Sequence, residues 1–323
     1  MKCPYCGYEN HDGVNFCVSC GARLRYADPP APARQDSAVK KFAVACLKAL
    51  CYFLVYFLIE NAVVLVYELF IIGRMGIDAF MGGSSGVYGD FGALYDTLFD
   101  RISENMMLLL ILATALSILT YCVIFLIRNK KPREEMYIRP VPLGEAGLAF
   151  LLGLSLNPFV SILLSLIPLP ESLIESYNEQ YALMLGGGSL VLEIIYVALL
   201  APLMEEIVYR GLIFTRLRKG MSETVAFIIT CIVFGAAHGT ILGFVYAGLL
   251  CTVMLALFEK HESILLSLAL HIGFNASSYL VELVPDDILL LLILLFVSVA
   301  ASVALLYALF RPREAQEDEE STL

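Results

Sequence analysis

The sequence predicts an all-α polytopic membrane protein of about eight transmembrane helices, preceded by a small segment that contains four cysteines. Of the 323 residues, 59% are apolar and only 16% are charged, and the mean hydropathy is +0.79. A water-soluble domain of this length would need more polar residues to cover its surface. Two Cys-x-x-Cys-Gly repeats, at residues 3–7 and 17–21, set the N-terminal segment apart from the apolar remainder.

The two cysteine repeats predict a metal site. Two such turns can place four thiolates tetrahedrally around one ion, those of Cys3, Cys6, Cys17 and Cys20. Disulfides are the alternative, but a segment with almost no hydrophobic core gains more stability from a metal. The repeats resemble a bacterial or archaeal zinc ribbon, so we predict a zinc ribbon at residues 1–26 with one structural zinc ion. Because no signal peptide precedes it in this sequence, we expect it in the reducing cytoplasm.

The segments that flank the apolar region are polar. Residues 27–41 are predicted to form an extended linker rich in Pro and Ala, because proline can continue neither a helix nor a sheet ladder. Residues 311–323 are predicted to form an acidic cytoplasmic tail. The formal net charge of -10 comes in large part from this tail and from loop acids. We interpret it as a solubilising charge, and no nucleic-acid partner is expected.

A membrane domain is predicted at residues 42–310. Its apolar segments are long enough to cross a bilayer, and the first and fourth exceed the ~20 residues that a span requires, so these two are expected to tilt or to project from the bilayer. The predicted spans are 42–72, 106–127, 145–167, 189–217, 222–238, 241–258, 263–280 and 287–310.

The distribution of basic residues predicts the orientation in the membrane. Lys and Arg accumulate in cytoplasmic loops. With the N-terminus inside, basic residues cluster on every inner flank, from Lys40 and Lys41 to Arg311, whereas the outer loops hold only Arg74 and Arg101. Both termini are therefore predicted to be cytoplasmic. The short ribbon and compact loops are typical of a protein of the prokaryotic cytoplasmic membrane.

Glu205, Glu206 and Arg210 place three charges within the fourth predicted span. Charges are costly in hydrocarbon and by default mark a functional site. Glu206 and Arg210 are i,i+4 neighbours on one helix face, whereas Glu205 points about 100° away. Arg210 can therefore neutralise Glu206 while Glu205 faces another group and serves as a general base. The alternative is a buried Glu–Arg network that performs no chemistry.

Two further spans carry polar side chains on one face. Phe234 and His238 lie four residues apart at the end of the fifth span, and His271 and Asn275 lie four apart in the seventh. A single membrane histidine is most often an interhelical hydrogen-bond donor. The acids of the first span, Glu60 and Glu68, are interpreted as groups that pair with the backbone or project from the bilayer.

In this order, Glu-Glu-x-x-x-Arg, Phe-x-x-x-His and His-x-x-x-Asn on successive membrane helices resemble the CaaX-protease and bacteriocin-processing (CPBP, Abi) family of intramembrane proteases, over residues 145–310. The resemblance implies an eight-helix bundle around a conical, water-filled cavity. By the same resemblance, Glu205 activates the attacking water with the help of His238. The roles that it implies for the other residues are oxyanion stabilisation by His271 and Asn275, and support of the site by Glu206 and Arg210.

The sequence leaves the role of a catalytic metal open. Glu205, His238 and His271 could instead form a His₂Glu zinc site with an open coordination position. The family is similarly described both as metalloproteases and as glutamate-dependent enzymes without metal.

Two other classes of function compete with a protease. A transporter could use the same groups to relay protons, although no inverted repeat is visible. A non-catalytic scaffold or bacteriocin-immunity protein could be recruited through the ribbon, which could bind a protein partner. The favoured interpretation is an endopeptidase in the lipid bilayer that cleaves a peptide or membrane-anchored protein near the cytoplasmic face.

Overall fold

The computed structural model describes residues 1–11, 14, 16–22, 24, 37–81, 91–185, 189–285 and 287–311. The chain divides into two compact units, Met1–Lys41 and Phe42–Leu323. Residues 27–36 of the predicted linker and residues 312–323 of the predicted tail lie outside the described residues.

The first unit is organised around its two cysteine turns. In each turn the amide of the glycine donates to the carbonyl of the first cysteine at 2.9 Å, from Gly7 to Cys3 and from Gly21 to Cys17. Gly7 and Gly21 have φ angles of 74° and 70°. Such positive values favour glycine because it lacks a Cβ atom. The Cys-x-x-Cys-Gly pattern is therefore what closes both turns.

Every regular element that the structure describes in the second unit is helical, which confirms the all-α prediction. The helices are α1 (Ala38–Phe80, which begins in the first unit), α2 (Phe91–Ile127), α3 (Pro132–Glu135), α4 (Leu143–Leu166), α5 (Glu171–Leu185), α6 (Leu190–Ile194), α7 (Ala201–Glu205), α8 (Thr215–Leu217), α9 (Glu223–Ala236), α10 (Ile241–His261), α11 (Ile264–Val281) and α12 (Ile288–Phe310).

The predicted count of eight spans is not confirmed. Within the described residues, six helices are long and apolar enough to cross a membrane: α1, α2, α4, α10, α11 and α12. The predicted fifth span corresponds to α9, an apolar helix of only 14 residues. Helices α1 and α2 also continue well past the predicted spans, because polar residues end an apolar run without ending a helix. Helix α5, whose sequence is too polar to span a bilayer, was not predicted.

The predicted fourth span is helical throughout, but its helical repeat changes between α and π along the span. Two π-helical segments, Ile195–Leu200 and Glu206–Phe214, alternate with α6, α7 and α8. We call this whole run, residues 190–217, the composite helix. A π turn contains an extra residue and often occurs at functional sites. The second π segment is completely buried and begins at Glu206.

Helices α4 and α11 cross with their backbones in contact. A Cβ atom on Gly153 would lie 1.9 Å from the carbonyl oxygen of Leu270, and one on Gly273 would lie 2.1 Å from that of Phe150. Real Cβ contacts are essentially never this short, so only glycine fits at either position. This crossing holds the middle of α11, the part that carries His271, against α4.

Glu262 joins three parts of the chain at the end of α10. Its carboxylate accepts hydrogen bonds from Arg218 at 2.8 Å and from Arg139 at 2.9 Å. The hydrogen bond from Arg218, more than that from Arg139, holds the pKa of Glu262 below its ordinary value. Glu262 itself ends α10 in the left-handed conformation, with a φ of 47°. The ion pairs fix the end of the composite helix to the turn between α10 and α11.

Candidate functional site

His271 lies between the two adjacent glutamates of the composite helix. Its Nδ1 atom is 3.0 Å from Oε1 of Glu206, and its Nε2 atom is 3.7 Å from Oε2 of Glu205. Glu206 is fully buried, whereas the side chain of Glu205 retains 23% of its exposure. The sequence predicted that the two carboxylates diverge. In the structure they diverge around a single imidazole and face its two nitrogens.

Arg210 neutralises the buried member of the pair. Its Nη1 atom lies 3.0 Å from Oε1 of Glu206, and both side chains are completely buried. The guanidinium also stacks over the ring of Phe234, with Cζ 4.4 Å from the ring centroid. A cation on an aromatic face gains electrostatic energy, and the gain is larger when both groups are desolvated. Phe234 therefore supports the buried ion pair as well as the histidine beside it.

Within the part of the chain that the structure describes, several polar atoms at this site lack a well-directed protein hydrogen bond. They are Oε2 of Glu205, Oε2 of Glu206 and all three guanidinium nitrogens of Arg210, although Nη1 is in ion-pair contact with Glu206. Buried polar groups are normally satisfied by protein or by ordered water. A water about 2.8 Å from both Nε2 of His271 and Oε2 of Glu205 would satisfy one of them, since these two atoms are 3.7 Å apart. The two atoms are therefore close enough for one water to bridge the carboxylate and the imidazole.

His238 stands beside this group and does not contact the glutamates in the described structure. Helix α9 ends at Ala236, so His238 lies in the turn that comes after it and not on a helix face as the sequence predicted. Its Nδ1 atom is 2.8 Å from the carbonyl oxygen of Phe234, which requires a proton on Nδ1 and leaves Nε2 as an acceptor. Its ring packs on Phe234 at 4.9 Å, and the Phe234 ring in turn lies 6.1 Å from His271.

Asn275 lies one turn beyond His271 on α11. Its Nδ2 atom donates to the carbonyl oxygen of Val197 at 2.8 Å. Val197 belongs to the first π segment, where the widened turn disturbs the usual backbone pairing. One amide hydrogen of Asn275 is thus used to hold the composite helix against α11. The second hydrogen remains for another acceptor.

The four ribbon thiols fit a zinc ion. Their sulfur atoms lie within 4.8 Å of one another, with 3.8 Å from Cys3 to Cys20 and 3.6 Å from Cys6 to Cys17. A disulfide would need about 2.05 Å. A tetrahedron with Zn–S bonds of about 2.3 Å has sulfur–sulfur edges of about 3.8 Å. The cluster is therefore compatible with structural zinc.

The second candidate metal set does not converge in the same way. Among the described residues, the ribbon thiols are the one group of three or more possible ligands within 4.8 Å of one another. Nδ1 of His271 is paired with Glu206 and Nδ1 of His238 with Phe234, so each ring has only Nε2 left as a possible metal ligand. Glu205, His238 and His271 as arranged do not form a metal cradle, so we assign no metal to these three residues.

The sequence interpretation missed several residues near Glu205. Glu60 of α1 interacts electrostatically with Glu205 and with the side chain of Tyr56. Tyr196 and Tyr209 of the composite helix interact electrostatically with both Glu205 and Glu60. An acid inside an apolar run was the available signal for Glu60. Nothing in the sequence distinguished these tyrosines from packing residues.

Two segments of the chain match family models. Residues 187–277 match the model described as type II CAAX prenyl endopeptidase Rce1-like, and residues 2–24 match the zinc-ribbon domain. Both resemblances predicted from the motifs are thereby confirmed. The first match includes all six candidate residues of the membrane unit and supports an intramembrane endopeptidase. No curated protein and no solved structure matches the chain.

Proposed function

We propose that this protein is an intramembrane endopeptidase that hydrolyses a membrane-associated peptide or protein with a water activated by Glu205. The observation that carries the proposal is the position of His271 between Glu205 and Glu206, beside the buried cation of Arg210. Peptide hydrolysis needs a base for the water, a donor for the oxyanion and a proton for the leaving amine. This group of side chains can supply all three.

The reaction begins at the exposed glutamate. Glu205 takes a proton from the water as the water oxygen attacks the peptide carbonyl carbon. The partly exposed side chain of Glu205 is open to substrate in a way that buried Glu206 is not. Nε2 of His238, which its bond to Phe234 leaves as an acceptor, assists in holding the water.

His271 stabilises the tetrahedral intermediate. Glu206 accepts a hydrogen bond from its Nδ1 atom, and in this mechanism the ring also carries a proton on Nε2, which is directed toward Glu205 and the substrate. That N–H, with the remaining amide hydrogen of Asn275, donates to the oxyanion. The C–N bond then breaks, and the proton held by Glu205 passes to the leaving amine. A carboxylic acid product and a free amine result, with no other reactant consumed.

The orientation predicted from the basic residues places cleavage near the cytoplasmic leaflet. Glu205 lies about sixteen residues into a span that is predicted to run from outside to inside. Membrane-anchored peptides or proteins are therefore the expected substrates. The ribbon is available to recruit a protein partner on the same side.

The test uses cells and purified protein together. A deletion strain is complemented with the wild type, Glu205→Gln, His271→Ala or the exposed control Glu175→Gln, and membrane-protein fragments are compared by mass spectrometry. Fragments should be absent with the first two variants and present with the control. When the membrane protein that gives rise to the fragments is purified and used as the substrate, Glu205→Gln and His271→Ala should each lower kcat by about 10²–10⁴-fold. Normal cleavage by purified Glu205→Gln would rule out the proposed mechanism.

A further inference from the structure

A cavity between α1 and α2 is lined in part by Glu60, whose carboxylate interacts electrostatically with Glu205. Its volume is about 490 Å³, within the range of about 300–1,000 Å³ that is typical of ligand pockets. Its lining combines two carboxylates and an amide with apolar side chains: Glu60, Asn61, Val64, Leu65, Glu68 and Leu110. The sequence interpretation had Glu60 and Glu68 pair with the backbone or project from the bilayer, but both line the same cavity.

The register of the helices brings Glu60 to the depth of Glu205. The guanidinium of Arg216 lies 5.1 Å from the ring centroid of Tyr52, which pairs the end of the composite helix with α1. Glu60 is about 12 Å further along α1 than Tyr52, and Glu205 is about 16 Å back along the composite helix from Arg216. Glu60 and Glu205 also interact electrostatically. Together with the contact at Tyr52, this second contact indicates that the two helices run antiparallel and that the carboxylates lie within about one turn of each other.

Glu60 has no cationic partner within the described part of the chain. Its interactions are with the Tyr56 side chain and with the like charge of Glu205. A carboxylate at membrane depth is costly unless it is paired, and an intramembrane acid of this kind is by default functional. Glu205 differs from Glu60 in this respect, because its carboxylate faces the imidazole of His271. A bound cation would balance the charge of Glu60.

A buried tyrosine lies near the two carboxylates. Tyr196 retains only 6% of its exposure, and its side chain interacts electrostatically with Glu60 and Glu205. Its ring and that of Tyr56 offer aromatic surfaces near a carboxylate, a combination that binds organic cations.

We propose that the cavity between α1 and α2 is a specificity pocket that binds a lysine or arginine side chain of the substrate, with Glu60 as its counter-ion. This inference rests on the proposed function, because the bound side chain belongs to a substrate only if the protein cleaves peptides. The aliphatic part of such a side chain would lie against Val64, Leu65 and Leu110, while its charged end reaches Glu60. A basic residue bound there anchors the peptide next to Glu205.

The first arm of the test measures binding without cleavage. Three apolar peptides differ at one position only, which holds lysine, norleucine or glutamate. The set is repeated with that position moved along the peptide. Each is titrated into full-length Glu205→Gln protein in phosphatidylcholine vesicles. The lysine peptide should bind about tenfold or more tightly than the norleucine peptide at one or two positions. The preference should disappear in Glu205→Gln/Glu60→Gln and persist in Glu205→Gln/Glu60→Asp and Glu205→Gln/Glu175→Gln. Equal binding of the lysine and norleucine peptides would overturn the proposal.

The second arm measures cleavage by proteins that retain Glu205. The lysine peptide should have the higher kcat/KM, and Glu60→Gln should remove that advantage mainly through KM, so that the lysine and norleucine peptides are cleaved with equal kcat/KM. Cleavage of all three peptides without a lysine preference would refute the pocket but leave the protease intact. Glu60-dependent binding of lysine without any cleavage would support the pocket and contradict the protease. An equal loss on all peptides in Glu60→Gln would also refute the pocket.

Discussion

At the scale of single residues, the site depends on one buried ion pair. Glu206 and Arg210 are both completely buried, and Glu206 also holds Nδ1 of His271. A buried pair adds little stability by comparison with apolar residues, but removal of one partner leaves an uncompensated charge. The orientation of the imidazole therefore depends on Arg210, although Arg210 does not face Glu205 within contact distance.

Replacement of Arg210 tests this dependence. Arg210→Ala should lower the free energy of unfolding by about 3–5 kcal/mol, because Glu206 stays buried without its cation and Phe234 loses its partner. The double variant Glu206→Gln/Arg210→Met should recover most of the stability but not the activity. Thermal unfolding in detergent and a cleavage assay give the two readings. If the double variant is as unstable as Arg210→Ala, the unpaired charge is not the cause.

At the scale of the elements, the position of His271 comes from the glycine crossing of α4 and α11. Gly153 and Gly273 allow backbone contact, and they lie on both sides of the same crossing. In a membrane, small residues at a helix interface replace the hydrophobic effect as the source of close packing. The site is thus built on a rigid joint between two helices.

Alanine substitutions distinguish this joint from ordinary helical glycines. Gly273→Ala and Gly153→Ala should lower the unfolding temperature and the activity, because the new methyl groups would meet the opposite backbone at 2.1 and 1.9 Å. Gly144→Ala and Gly147→Ala in α4 are matched controls, since nothing lies within 4 Å of either Cβ position. The controls should be neutral or should stabilise by up to about 1 kcal/mol through helix propensity. Equal effects at all four positions would contradict the crossing.

The zinc ribbon is a second element, and its predicted metal content can be measured directly. Purified protein should contain about one zinc per chain, and Cys17→Ser or Cys20→Ser should release it. Cys46→Ser, in α1, is the control and should retain the metal. A variant that begins at Asp36 should contain no zinc and still cleave peptide. One zinc retained in that variant and lost on His238→Ala or His271→Ala would assign the metal to the membrane site.

At the scale of the whole molecule, the features that could be predicted are those set by composition and spacing. The all-α class, the four thiols and the motif order could be read directly from the sequence, because apolar runs and ligand spacing are local properties. The shortness of α9, the π segments and the role of Glu60 could not. They depend on how neighbouring helices pack, and a charged residue such as Glu60 gives the same local signal whether it projects into lipid headgroups or lines a cavity.

The orientation of the chain is the prediction that belongs to this scale. Both termini should be cytoplasmic, because basic residues accumulate on one set of flanks. On a background without native cysteines, a cysteine at Ser84 should react with an impermeant reagent in whole cells, and one at Asn129 should not. Membrane extraction of both variants controls for expression. The reverse labelling would invert the topology and put a cytoplasmic substrate out of reach.

The two π segments give the composite helix an unusual tolerance of changes in length. A π turn is an α-helix that has accepted an inserted residue. Deletion of one codon within Ile195–Leu200 would restore the α repeat without breaking the helix. Glu205 would keep its place relative to His271, while the preceding part would turn by about 100° and withdraw Val197 from Asn275. Insertions and deletions, and not substitutions alone, can therefore remodel the part of this helix before Glu205 while the part that carries Glu205 and Glu206 keeps its place.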